Sequence, residues 1–160
     1  MNNGNAKILD YIDRCHEPDK LRELIKNARA RQQHNVADAA LKKLVSIMPS
    51  AQPGTVAFDL WRTVYAFEQL LTEERGRTTR LARTRQKIAR VGEQQTLADW
   101  ATGQTETDGF RMLLDRKLPE LTGEAIVLRH APDFPANVVE AAKRRLTTAG
   151  VDIDALPDRL

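Results

Sequence analysis

The chain has 160 residues, 41% of them hydrophobic, with 25 basic and 22 acidic side chains and a formal charge of +3. That composition supports a core and excludes the collagenous, membrane and disulfide-scaffold classes; a single cysteine, Cys15, leaves no internal disulfide and fits a reducing compartment. The charge is unevenly spread: residues 1–74 hold ten basic and ten acidic side chains, 75–92 seven basic and no acidic, and 93–160 eight basic and twelve acidic.

The polar start Met1-Asn2-Asn3-Gly4-Asn5 leads straight into a helical pattern, without a charged-then-apolar leader, which predicts a cytoplasmic protein. No apolar run approaches the ~20 residues that span a bilayer, so no membrane partner is expected. Asn5 is placed to cap a first helix in which Ile8, Leu9, Ile12 and Cys15 share a face. Tyr11 falls on that apolar side and reads as a packing residue, as does Tyr65 further on. Pro18 suits the first turn of a second helix with the stripe Leu21, Leu24, Ile25 and Ala28. Gln33-His34-Asn35 breaks the pattern, and a third helix buries Ala37, Ala40, Leu41, Leu44, Val45 and Met48 before Pro49. The second and third helices predict an αα-hairpin, making residues 1–49 an N-terminal helical region.

Residues 50–54, rich in proline and glycine, read as a linker to a C-terminal helical domain over 55–160. Thr55 caps a long helix to about Glu74. Its polar residues Asp59, Arg62, Gln69 and Glu73 form one narrow stripe, and apolar residues cover the rest, predicting a central core helix. Four of the eight aromatic residues lie between Phe58 and Phe67, where core packing explains them better than a ligand box does.

Gly76 interrupts or ends that helix, and a basic helix is predicted over 77–91. At about 100° per residue, Arg77, Arg80, Arg83, Lys87 and Arg90 fall within about 140° of arc. Arg85 lies off that patch, and Leu81 and Ile88 anchor the opposite side. Thr96-Leu-Ala-Asp99 resembles a capping box opening a short helix with Leu97, Trp100 and Ala101. A turn over Gly103–Gly109 precedes a compact helix with Phe110, Met112, Leu113 and Leu114. The two helices have roughly helix-turn-helix dimensions, and the second would expose Arg111, Arg116 and Lys117. Its turn is long, and Glu106 and Asp108 would repel phosphate. Over Leu121–His130, a helix opened by Thr122-Gly-Glu and a short buried strand near 125–129 both fit. The last helix runs from about Ala136 to Ala149 and stops at Gly150. Val151–Leu160 reads as a loose or docked tail. The fold class is thus mainly α, a helical bundle with an N-terminal αα-hairpin and room for one short strand.

Little in the chain announces catalysis. His16, His34 and His130 are far apart, Ser46 and Ser50 lack a nucleophile elbow, and no glycine-rich phosphate loop is present. Cys15 beside His16 reads as a core thiol next to an exposed ring. No cofactor and no metal are expected from motifs. Carboxylates such as Glu73, Glu74, Glu120 and Glu124 would have to pair in space to hold Mg²⁺ for phosphodiester cleavage.

The basic segment carries the functional expectation. Six of its seven charges are arginine, which grips phosphate bidentately, and Thr78, Thr79, Thr84 and Gln86 add neutral donors. A merely solvated face would intersperse glutamates to relieve like-charge repulsion. The pattern predicts a non-enzymatic protein that binds nucleic acid, duplex DNA rather than RNA. Its contacts would be Arg77, Arg80, Arg83, Arg85, Lys87 and Arg90, extended by Arg111, Arg116 and Lys117. Two alternatives stay open: an adaptor whose basic face docks acidic protein, including a second copy or its own acidic C-terminal third, and a metal-dependent nuclease.

Overall fold

The computed structural model describes residues 3–157, and among these every regular element is helical. Helices α1 (Asn3–Arg14), α2 (Pro18–Ala30) and α3 (His34–Ile47) come first. Pro18 occupies the first turn of α2, where its missing N–H has no carbonyl to meet. The short turn Arg31–Gln33 folds α3 back along α2, burying Leu21, Ile25 and Ala28 against Val36, Ala40 and Leu44. Cys15 is buried and His16 exposed, as the sequence implied.

Helix α4 (Val56–Arg75) is capped by Thr55, whose hydroxyl accepts from the Phe58 N–H at 3.1 Å. It ends where Gly76 takes φ +67°, a left-handed turn that the missing Cβ permits. This helix belongs to two hydrophobic clusters. Ala66 and Leu70 pack with the three N-terminal helices and with Leu113, Leu118 and Leu121. Leu60 and Val64 pack with Ile88, Leu97, Ile126, Val138 and Ala142. A helix shared by two cores must be apolar on most of its circumference, and the sequence shows that property.

The remaining helices are α5 (Ala82–Val91), α6 (Glu93–Thr102), α7 (Asp108–Asp115), α8 (Gly123–Arg129) and α9 (Ala136–Thr148), with 3₁₀ turns at 119–121, 131–133 and 153–155. The segment near 125–129 is therefore helix α8, not a strand. Thr122 decides it: its hydroxyl accepts from the Ala125 N–H at 3.2 Å, and the helix satisfies its own backbone where no strand is present to pair with. Thr96 does not open a helix either. Gly92, at φ +87°, ends α5 and lets α6 start at Glu93, so Thr96 lies inside α6 and its hydroxyl donates to the Gly92 carbonyl at 2.8 Å. Asn3 and Gly4 are already helical, so Asn5 lies inside the first helix instead of capping it, and Tyr11 is 49% exposed instead of packed. No described helix is long and apolar enough to cross a membrane.

Two close approaches carry consequences for stability. At Gly109, on α7, a Cβ would overlap the Phe67 ring of α4. Gly109→Ala is expected to push that ring aside and cost about 2 kcal/mol, read as a lower urea midpoint at unchanged m-value. Glu124, on α8, is only 2% exposed, and Arg145 Nη1 of α9 approaches its Oε1 at 3.3 Å. The same guanidinium donates to the carbonyls of Trp100 and Gly103, tying α9 to the end of α6. Burial raises the Glu124 carboxyl above its ordinary 4.5, and the Arg145 contact only partly opposes that rise. A raised folded value means the contribution to stability is full below pH 4.5 and lost as pH rises through the folded value. Denaturation as a function of pH checks this: Glu124→Gln should lack that decline, so its stability gains on the parent as pH rises.

Candidate functional site

Helix α5 starts at Ala82, not at residue 77, because Gly76 terminates α4 and residues 76–81 run as an irregular connection. Arg77 and Arg80 thus belong to a loop, and the five-charge arc expected on one helix does not form. The anchors hold as expected: Ile88 is buried and Leu81 packs on the same cluster. The loop is fastened to α4 by two residues that the apolar pattern of that helix obscures. Thr72 Oγ1 accepts from the Thr79 N–H at 3.0 Å while donating to the Glu68 carbonyl. The Glu68 carboxylate accepts from the Leu81 N–H at 2.9 Å and from Arg85 Nε and Nη2 at 2.7 and 2.8 Å. A carboxylate just ahead of the first turn of α5 also complements the helix dipole.

Arg85 is consequently a structural residue. Its guanidinium forms a bidentate pair with Glu68 and lies 5.2 Å from the Trp61 ring centroid and 5.4 Å from that of Tyr65. The Glu68 hydrogen bonds hold its pKa above the ordinary arginine value. Lys87 is also engaged, 2.8 Å from Asp99 on α6, and its hydrogen bond lowers the Asp99 carboxyl below the usual range. Arg111 pairs with Glu106 at 2.7 Å, and Arg116 reaches Glu73 at 3.8 Å. Five of the seven charges, Arg75, Arg77, Arg80, Arg83 and Arg90, are exposed and have no ion-pair partner among the described residues; the same holds for Lys117 beyond α7. Arg77 and Arg80 lie on the 76–81 connection and Arg83 and Arg90 on α5, while Arg111 and Arg116 are committed to acids of their own.

The acids that might have formed a metal site are dispersed. Glu73 lies between Arg29 and Arg116, Glu120 is 3.3 Å from Lys42, and Glu124 meets Arg145. Among the described residues no three His, Cys, Asp or Glu side chains converge on a position for a metal ion.

One cluster has no clear signal in the sequence. The polar stripe of α4 faces inward at its N-terminal end, where Asp59 is buried. Its Oδ2 receives Arg129 Nη1 at 3.0 Å and His130 Nε2 at 2.6 Å, and its Oδ1 lies 3.3 Å from Arg62 Nη2. Asp59 and Arg129 are seventy residues apart, so only the packing of α8 on α4 brings them together. The Asp59/Arg62 spacing was the available hint.

By fold the chain is an all-α helical bundle, and its most exposed concentrated charge is the 75–90 arginine stretch. Comparison with protein-family models, with curated proteins and with solved structures finds no match to the chain.

Proposed function

We propose that this protein binds nucleic acid, duplex DNA in preference to RNA, through phosphate contacts from Arg77, Arg80, Arg83 and Arg90, with Arg75 and Lys117 at the margins. The observation carrying this reading is the set of exposed arginines left without carboxylate partners on a loop and helix pinned by Glu68. Placing like charges together raises energy unless a polyanion neutralises them, and arginine matches phosphate geometry in particular. Arg85 supports the surface from beneath, and Lys87 reaches phosphate only by leaving Asp99. Four or five contacts predict a slope of log K against log salt of about −4 on duplex DNA. Fluorescence anisotropy of a labelled duplex over a salt series measures it. Binding that is absent, or insensitive to salt, removes the proposal.

A second reading, a helical adaptor that receives an acidic protein surface, draws on the pairs Arg85–Glu68 and Lys87–Asp99, which show that this segment accepts carboxylates. It accounts for two of the seven charges. An acidic peptide that competes as well as DNA at equal charge would favour it.

A further inference from the structure

A cleft of about 400 Å³ lies between α1, α3 and α4, within the range of small-molecule sites. Leu9, Ile12, Ala39, Val45 and Leu121 give it apolar walls. Its polar lining is mainly cationic: Lys42, Lys43 and Arg62, with Asp13 as the acid. Arg62 stands out because it is 4% exposed, while its Nε is buried without a hydrogen-bond partner.

The charges behind the cleft do not balance. Asp59, the carboxylate 3.3 Å from Arg62, is shared with Arg129 and His130. Glu120 is paired with Lys42, and Lys43 donates to the Asp13 carbonyl. The guanidiniums of Arg62 and Arg129, which stands behind the cleft, thus share the single carboxylate of Asp59, while the lysines of the cleft stand against Glu120 and Asp13, leaving one positive charge in excess. A buried guanidinium with spare donors and too few carboxylates is costly unless an anion completes it. Burial accordingly lowers the Arg62 pKa, with Asp59 and Glu120 only partly opposing that effect.

We propose that this cleft binds a small organic monoanion with a short aliphatic body, specifically a carboxylate. Arg62 and Lys42 receive the carboxylate, and Leu9, Val45 and Leu121 cover the chain. A single excess charge matches a monoanion, the planar guanidinium matches a carboxylate, and the apolar walls select an alkyl substituent over a polar one.

Hexanoate is a suitable probe, with hexylammonium as its charge-reversed counterpart. Titrated into the full chain and followed by amide NMR shifts, hexanoate is expected to perturb Ala39, Lys42, Lys43 and Arg62 with a Kd of about 1 mM, typical of a ligand this small. Hexylammonium should leave them unmoved. Ala39→Phe fills the cleft and should abolish the hexanoate shifts, and Lys42→Gln, at a side chain half exposed to solvent, should weaken binding about fivefold. The proposal is overturned if hexanoate moves none of these amides, if hexylammonium perturbs them equally, or if Lys42→Gln binds as tightly as the parent. Should Ala39→Phe not fold, the Lys42→Gln comparison still decides.

Discussion

Changing Arg77, Arg80 and Arg83 together to alanine is expected to weaken duplex binding by about 100-fold and to flatten the salt slope by about 3. The three are exposed and have no ion-pair partner among the described residues, so their removal should leave the fold intact. Each contributes about 1 kcal/mol if its guanidinium meets phosphate, which sets the size of the loss. Lys87→Ala is the internal comparison. Its ammonium is already held by Asp99, so its loss should change affinity by less than about threefold. Anisotropy titrations of both variants at two salt concentrations separate the outcomes. If the triple variant binds as the parent does, the arginine stretch is not the interface.

Glu68→Ala should be the most destabilising single change near this surface, by about 3 kcal/mol. Three hydrogen bonds end on that carboxylate, and it is buried on α4. Its removal strands the Arg85 guanidinium and frees the Leu81 N–H, so the 76–81 connection loses its main tether. Replacing both charges, Glu68→Leu with Arg85→Met, should recover much of the loss, because neither charge is then left alone. Urea unfolding of the two single variants and the double gives the coupling energy, expected at about 2 kcal/mol. Additive effects would mean that the pair contributes no mutual stabilisation. Because Arg85 supports the loop, Arg85→Met alone should lower stability and affinity together; lower affinity at unchanged stability would mark a phosphate contact instead.

Much of the fold was legible in the sequence where the information is local. The Pro18 helix start, the Thr55 cap, the Gly76 stop and the apolar stripes of α2, α3, α4 and α9 depend on near neighbours along the chain. The nearly all-round apolar surface of α4 predicted a central core helix, and only the fold divides it between two cores. Thr96 was read from side-chain pattern as a helix start, whereas backbone geometry at Gly92 sets that start at Glu93; over 125–129 the pattern left helix and strand both open, and the hydroxyl of Thr122 caps the helix. The candidate site was half legible. Composition located the arginine-rich stretch, but a helical wheel counted Arg77 and Arg80 onto a helix that begins after them. It could not show that Arg85 and Lys87 were committed to Glu68 and Asp99.

The sequence by itself determined a mainly α chain, the order of most of its helices, and a concentration of arginine between residues 75 and 90. Those properties come from periodicity, capping and local charge, which act over a few residues. Only the tertiary structure decided which arginines remain exposed, since each partner lies on another helix. It also decided that Asp59, Arg62 and Arg129 share a buried network: distant segments of chain meet there, and an inward-facing polar residue has the same local spacing as a solvated one.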